Sequence, residues 1–467
     1  MPLQRQALGW NLFTPVSVLI LYLSIVLAYT ESGDEHLIML SNGAVFLLGI
    51  ANLLETRDIF HPFSMIPIVH GMYSLLPLLS WRNTEGSLLS VFGLEGGAII
   101  FSSATFGIVL SWCLYRTYPT AASLEAKTIP IGSLRIPESL PWILLVTGAG
   151  LSAIFLVRVG FTEFASSGYL ERFQIRLAPG MGLFVVGGVS LTTIALCMFL
   201  AQAKVDSKGV IASVLAFLVM FIAYGERKYI ISPALVCVAA YHYRVRKLPI
   251  LVTVVTGTAF YLIFEYVGYL RGVTDGGLHD GAASVLDFFQ YLPSHIGEGE
   301  LANLYGTASA AYHGFIQALP DFGDYLSAWR LAIPQFLVTL DYVPTDYRFA
   351  QAYAPQRALD EKMGWGFSLF GEAYMAMGIV GPAVVAMGFC MLAVLVYRRA
   401  RDGHFQGIVG ILWFTLIYFQ IWTQRGPFAS VFKDWVAYQV IPTVLVVLGA
   451  NLGRFLHSHR TTNQTPG

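Results

Sequence analysis

Residues 181–201 read MGLFVVGGVSLTTIALCMFLA and contain no charged side chain. A helix needs about 20 mainly apolar residues to cross a hydrocarbon layer roughly 30 Å thick. Because the whole stretch is apolar and long enough, it predicts a membrane-spanning helix.

The composition of the whole chain indicates the same environment. Of its 467 residues, 56% are apolar and 12% are charged, whereas soluble domains have about 25% charged residues. The 28 basic and 28 acidic residues cancel, so no overall positive field indicates a nucleic-acid partner. We therefore expect one integral membrane domain over residues 1–467.

Twelve segments are apolar and long enough to be candidate spans, which predicts an all-α transmembrane bundle of about 12 helices. The segments are 13–30, 37–54, 63–80, 96–115, 139–157, 181–201, 210–224, 229–243, 248–269, 373–397, 407–423 and 435–453. Basic residues concentrate in alternate connections, for example those containing Lys127 and Arg399, while residues 31–36 are acidic. The positive-inside rule then predicts that both termini are on the cytoplasmic side of the membrane.

Residues 271–365 form the one long connection, predicted to lie on the outer side of the membrane. Connections beyond about 12–15 residues are commonly functional or disordered, and this one is too rich in apolar residues for disorder. Residues 284–291, 301–319 and 325–340 predict short amphipathic helices, in the membrane interface or tucked back into the bundle.

Cysteines and catalytic motifs narrow the chemistry. The four cysteines lie in apolar runs without C-x-x-C spacing, so neither a disulfide framework nor a zinc site is indicated. The chain has no H-E-x-x-H, G-x-S-x-G or G-x-x-x-x-G-K-[ST] motif. We expect no metal and no cofactor.

Five arginines on the predicted outer side are candidates for binding phosphate. Glycine lies beside or near three of them and permits close approach of a ligand, and Arg172 and Arg176 are spaced to share a helix face. Guanidinium groups bind phosphate with two parallel hydrogen bonds. The candidates are Arg172, Arg176, Arg227, Arg271 and Arg425. A lipid-linked pyrophosphate would present its charge at this depth.

Two carboxylates are candidates for activating a hydroxyl group. Glu372 lies at the predicted mouth of the tenth span, and Glu300 lies in the long connection. An ionisable side chain at a helix mouth in a membrane protein is a functional candidate by default. Pairing with an arginine is the alternative role for Glu372.

The order of these elements resembles the family of O-antigen and oligosaccharide repeat-unit polymerases, including the enterobacterial common antigen polymerases. The resemblance covers most of the chain after about residue 140. It depends on the order of Gly225-Glu226-Arg227, Arg271-Gly272, Glu300-Leu301-Ala302-Asn303, Gly371-Glu372-Ala373-Tyr374 and Arg425-Gly426.

The resemblance implies a membrane glycosyltransferase that acts on undecaprenyl-pyrophosphate-linked oligosaccharides. It would build a surface polysaccharide on the outer face of the bacterial inner membrane, with residues 271–365 on the periplasmic or extracellular side. Glu372 or Glu300 would activate the acceptor hydroxyl, and Arg271 and the other arginines would bind the pyrophosphate. A chain-length regulator and a flippase are the candidate protein partners. An O-antigen-type ligase and a transporter or flippase of lipid-linked oligosaccharides are the alternatives.

Overall fold

The computed structural model describes twelve stretches of the chain and a few single positions between them. The stretches are residues 35–80, 88–117, 136–160, 169–178, 180–224, 228–273, 287–290, 300–317, 322–328, 342–356, 366–423 and 426–462. The single positions are 15, 17–19, 22–23, 162, 164, 167, 226 and 330.

Throughout these stretches the protein is helical, and none of the described residues forms a β-strand. The helices are α1 (Glu35–Thr56), α2 (Pro62–Ser80), α3 (Leu88–Phe92), α4 (Glu95–Thr117), α5 (Ser139–Val159), α6 (Tyr169–Leu177), α7 (Gly182–Ala201), α8 (Ser207–Tyr224), α9 (Lys228–Arg244), α10 (Ile250–Val273), α11 (Glu300–Tyr312), α12 (Gly323–Ser327), α13 (Thr345–Tyr353), α14 (Leu369–Met377), α15 (Val380–Asp402), α16 (Gly407–Thr423), α17 (Phe428–Val431) and α18 (Ile441–Thr462). A π-helix, Phe432–Val440, joins α17 to α18.

Six of these helical stretches are long and apolar enough to cross a membrane: α4, α5, α7, α8, α15 and the continuous helix Phe428–Asn451. The predicted all-helical class is therefore confirmed for the described residues, and the six candidate spans support a membrane protein. The predicted count of about 12 spans is not confirmed. Shorter apolar helices, Leu40–Thr56, Ile250–Ile263 and Gly407–Gln420, lie at three other predicted positions, and the segment 13–30 lies almost entirely outside the described residues.

Close packing of α5 against α7 shows why glycine and small polar residues interrupt these apolar sequences. A Cβ atom on Gly148 would lie 2.8 Å from the Gly188 carbonyl oxygen, and one on Gly188 would lie 2.3 Å from Ser152 Oγ. In a lipid environment, helices associate largely through such close approach of small residues, because lipid tails are as apolar as leucine.

The predicted tenth span, 373–397, is wrong in its N-terminal boundary. The chain forms a separate short helix, α14, and α15 begins only at Val380. Gly378 separates the two with a φ of 63°, a left-handed conformation that glycine adopts at little cost. Ser368 caps α14 by accepting hydrogen bonds from the amides of Phe370 and Gly371. Glu372 therefore lies in a short capped helix and not at the mouth of a span.

The predicted long connection contains α11, α12 and α13 in its described parts. The expected amphipathic helix over 301–319 is shorter and more buried than predicted, because α11 ends at Tyr312 and is buried nearly all round. Its Tyr305 ring stacks on Phe101 of α4 at 5.1 Å, and its Ser309 hydroxyl accepts a hydrogen bond from the Gly97 amide. Most of the predicted helix over 325–340 lies outside the described residues.

The helices divide into two compact units that alternate along the chain. Unit 1 comprises Met1–Thr128, Phe289–Leu395 and Gln420–Val431. Unit 2 comprises Ile129–Phe288, Val396–Phe419 and Phe432–Gly467. Each unit contains one of the two polar clusters described next.

Candidate functional site

The first polar cluster lies in unit 2, where α6 meets the turn between α8 and α9. Arg176 of α6 forms an ion pair with Glu226, and Lys228 Nζ lies 2.6 Å from the other oxygen of the same carboxylate. Arg172, one turn before Arg176, donates hydrogen bonds to the carbonyls of Ser167 and Ala223. We call these four side chains, Arg172, Arg176, Glu226 and Lys228, the cationic cluster.

Burial makes the charges of the cationic cluster consequential. Arg172 and Arg176 are 3% and 6% exposed, although arginine is almost never fully buried unless it is paired. Burial would raise the pKa of Glu226, but Lys228 and Arg176 outweigh that effect, so the pKa lies below its ordinary value. The carboxylate is therefore ionised. The negative charge of Asp434, in the π-helix, also acts on Lys228, so three positive charges face two negative charges here.

An aromatic wall packs beside the cationic cluster. The Arg176 guanidinium lies over the Tyr224 ring at 5.7 Å, and the Tyr224 ring packs edge-on against Phe155 and Tyr229. Phe164 completes the wall from the segment before α6. Such apolar surroundings exclude water, which strengthens electrostatic attraction to a bound anion.

The second polar cluster lies in unit 1 around Glu372, which is 1% exposed. One carboxylate oxygen accepts a hydrogen bond from the Thr345 hydroxyl at 2.6 Å, and the other accepts one from the Phe428 amide. The Phe428 ring packs against Tyr325 at 4.6 Å. Helices α13, α14 and α17 thus each contribute to the surroundings of this carboxylate.

Arg348 extends the second cluster away from Glu372. Its Nη2 atom lies 2.5 Å from Asp324 Oδ1 and 3.2 Å from Thr345 Oγ1, and its Nη1 atom donates to the Gln317 carbonyl at 2.9 Å. We call Asp324, Thr345, Arg348 and Glu372 the carboxylate cluster. A continuous set of hydrogen bonds runs through it from Asp324 to Glu372.

The proton affinity of Glu372 is unusual for a carboxyl group. Burial raises its pKa to about 7, and the charges of Asp324 and Asp346 act in the same direction. The hydrogen bonds from Thr345 and the Phe428 amide oppose this effect only in part. A carboxyl group with a pKa near 7 exchanges its proton readily at neutral pH, which general acid–base catalysis requires.

The sequence-predicted site residues fall into three groups. Arg172, Arg176 and Glu372 are described and buried, with the two arginines in unit 2 and the carboxylate in unit 1. Arg271 and Glu300 lie within α10 and α11, but their side chains lie outside the described part of the chain. Arg227 and Arg425 also lie outside the described residues.

Several residues of both clusters were missed by the sequence analysis. Glu226 and Lys228 are the sequence neighbours of Arg227, which the sequence analysis did name, but the ion pairs that these two residues form were not predicted. Thr345 and Arg348 are three residues apart, a spacing that places them on one helix face, but an ordinary threonine gives no sequence signal. In the described part of the chain, no group of three or more His, Cys, Asp or Glu side chains could hold a metal ion.

Comparisons with protein families, with curated proteins and with solved structures find no match for this chain. The two clusters and the apolar helices are therefore the observations on which a function can be argued.

Proposed function

We propose that the protein is a membrane glycosyltransferase that polymerises undecaprenyl-pyrophosphate-linked oligosaccharide repeat units. The growing chain is transferred from its lipid carrier to a hydroxyl group of the next lipid-linked unit. The glycosidic bond to the acceptor forms, the bond to pyrophosphate breaks, the acceptor proton passes to a base, and undecaprenyl pyrophosphate leaves.

The observation that carries this proposal is the excess positive charge of the cationic cluster. Arg172 and Arg176 lie about 50 residues before Glu226 in sequence, yet all three are packed together beside an aromatic wall. Positive groups already in place where negative charge develops can lower a reaction barrier by several kcal/mol, since they need no reorganisation. A departing pyrophosphate is an anion that such a site would stabilise.

Glu372 is the base in this proposal. An acceptor hydroxyl gives up its proton as the new bond forms, and a carboxylate with a pKa of about 7 can take it up at neutral pH. Glu300 remains the other candidate base. Arg227, Arg271 and Arg425 are proposed to add to pyrophosphate binding.

The same proposal places the enzyme in the bacterial inner membrane, with both termini cytoplasmic and residues 271–365 on the periplasmic side. The six apolar helices support a membrane location. The outer side is where substrate would arrive after a flippase has moved it, and a chain-length regulator would act there on the product.

Reconstitution tests the proposed activity directly. The purified protein in lipid vesicles would be incubated with the lipid-linked oligosaccharide that accumulates in cells lacking this protein, and the products separated by gel electrophoresis. We expect a ladder of lipid-linked chains of increasing length. A single transfer to a second lipid acceptor would indicate a ligase, and movement of unchanged substrate across the vesicle would indicate a transporter.

Variants of the cationic cluster add a second test. Arg176→Ala should lower the polymerisation rate by about 100-fold, as removal of one preorganised stabilising group does in other enzymes. Arg176→Lys should recover part of it, because lysine keeps the charge but not the planar fork. Arg158→Ala is the matched control, since Arg158 is an exposed arginine of the same unit that lies over the Phe184 ring. Equal ladders from all variants would contradict the assigned role.

A further inference from the structure

Arg348 fixes the direction of the hydrogen bond between Thr345 and Glu372. A guanidinium group has five N–H donors and no acceptor, so the Thr345 oxygen must accept the hydrogen bond from Arg348. The hydroxyl group has one hydrogen, and Glu372 Oε1 lies 2.6 Å from it. With Arg348 occupying one of the lone pairs on Oγ1, the hydroxyl hydrogen is directed to the Glu372 carboxylate.

The rest of the carboxylate cluster keeps Arg348 in this position. Its second Nη2 hydrogen is directed to Asp324, which is 2% exposed, and its Nη1 atom donates to the Gln317 carbonyl. Thr345 is fully buried at the first turn of α13, so water cannot replace Arg348 as its partner. Both partners of Glu372, the Thr345 hydroxyl and the Phe428 amide, therefore donate hydrogen bonds to it, an arrangement that favours the ionised carboxylate.

We propose that Thr345 and Arg348 are positioning residues that orient the Glu372 carboxylate and hold it ready to accept a proton. The inference rests on the proposed function, in which Glu372 is the base. Thr345 acts directly on Glu372, and Arg348 acts through Thr345. Neither residue needs to touch the substrate.

Other titratable groups surround Glu372, and none of them is mutated in the test described next. Asp324 and Asp346 raise its pKa, and Tyr325 and Tyr342 lie close enough to be affected by its charge. The helices packed against α14 carry further titratable residues. They are His70 on α2, whose ring packs edge-on against Phe370 at 5.3 Å, Glu300, Tyr305 and Tyr312 on α11, and Glu95, Cys113, Tyr115 and Arg116 on α4.

The test measures the ionisation of Glu372 through thermal stability in detergent, without substrate. The Tm of wild type and of each variant is measured from pH 4 to 9 and compared with the Tm of the same protein that also carries Glu372→Gln. The difference between the two Tm values changes with pH until Glu372 is fully ionised in the folded state. The pH at which this change levels off gives the ionisation midpoint of Glu372 in the folded state. Thr345→Val should raise that midpoint by about one pH unit, because a hydrogen bond to the charged form is lost. Arg348→Gln should raise it too, and Thr345→Ser should restore the wild-type value.

Thr307→Val is the matched control, because Thr307 is also a fully buried threonine of unit 1. Among the described residues, its hydroxyl donates to the Leu304 carbonyl of its own helix and not to a carboxylate. Its midpoint should equal the wild-type value. In the polymerisation assay, the acidic limb of the pH profile should move by the same amount in Thr345→Val. An unchanged midpoint in both Thr345→Val and Arg348→Gln, or a raised one in Thr345→Ser, would overturn the inference. Absence of polymer from the wild-type protein would instead overturn the proposed function, since the midpoint is measured without substrate.

Discussion

Removal of the Glu226 carboxylate is the perturbation with the largest expected effect on the cationic cluster. The Arg176 and Glu226 side chains are 6% and 12% exposed, so they form a buried ion pair. The Lys228 side chain is 43% exposed, so water screens its attraction to Glu226 and it adds less. Removing one partner from a buried ion pair destabilises by about 3–5 kcal/mol, because the remaining charges are left uncompensated. We expect Glu226→Ala to lose stability in this range, and Glu226→Gln to lose less because it keeps one hydrogen-bond acceptor of the two.

The pH dependence of this loss has a definite sign. The folded-state pKa of Glu226 lies below its ordinary value of 4.5, so the stabilisation is present above pH 4.5 and is lost as the pH falls further. Thermal unfolding in detergent should show wild type and Glu226→Gln approaching each other in Tm below about pH 4. They should be furthest apart near neutral pH.

Inorganic pyrophosphate provides the decisive measurement on the same variant. In Glu226→Ala, Arg176 and Lys228 lose their shared carboxylate, so an added anion can take its place. A ligand at 100 times its dissociation constant stabilises by about 2.7 kcal/mol. The Tm of Glu226→Ala should rise with pyrophosphate more than that of wild type, against sodium chloride of matched ionic strength. An unchanged Tm on making Glu226→Ala, or no response to pyrophosphate, would refute the charge argument.

Three further predictions concern other parts of the molecule. Glu372→Gln should match wild type in free energy of unfolding near pH 4 and exceed it by about 3 kcal/mol above pH 7. The reason is that a pKa of Glu372 raised from 4.5 to about 7 opposes its ionisation in the folded state. Parallel curves of Tm against pH would contradict this prediction. Gly107→Val should lower the free energy of unfolding, measured by thermal unfolding, by about 1–3 kcal/mol, because a Cβ atom there would lie 2.2 Å from the Ala383 carbonyl oxygen. Gly150→Val is the control, because a Cβ atom at Gly150 would have no neighbour within 4 Å among the described residues. An impermeant thiol reagent should label a cysteine at position 280 in intact cells, and labelling only after cell lysis would reverse the proposed orientation.

Hydropathy predicted the class of fold because it reports the solvent around a helix. The segment 181–201 corresponds closely to α7, and the segment 139–157 to α5. Boundaries were less predictable where backbone geometry decides them. The break between α14 and α15 depends on Gly378, one of 45 glycines in the chain, and apolar residues continue on both sides of it.

The candidate site was predictable only in its charged residues. Arg172 and Arg176 are conspicuous because charge is rare in this chain, and their spacing of four residues indicated a common helix face. Their ion-pair partner could not be inferred, since Glu226 lies 50 residues further on and only folding brings it to Arg176. The carboxylate cluster was less predictable still, because Asp324, Thr345 and Glu372 come from three separate helices.

The alternation of the two units along the chain has a consequence for biosynthesis. Unit 1 begins with residues up to Thr128 but needs Phe289–Leu395 and Gln420–Val431 to be complete, and unit 2 ends with Phe432–Gly467. At about 5–20 residues per second, the ribosome needs about 10–30 s to make the roughly 160 residues between the first two parts of unit 1. Until residue 309 has been made, polar groups such as the Gly97 amide, which donates to Ser309 in the folded protein, lack that partner. A nascent chain interrupted before residue 420 leaves both units incomplete, so quality control should remove such chains whole.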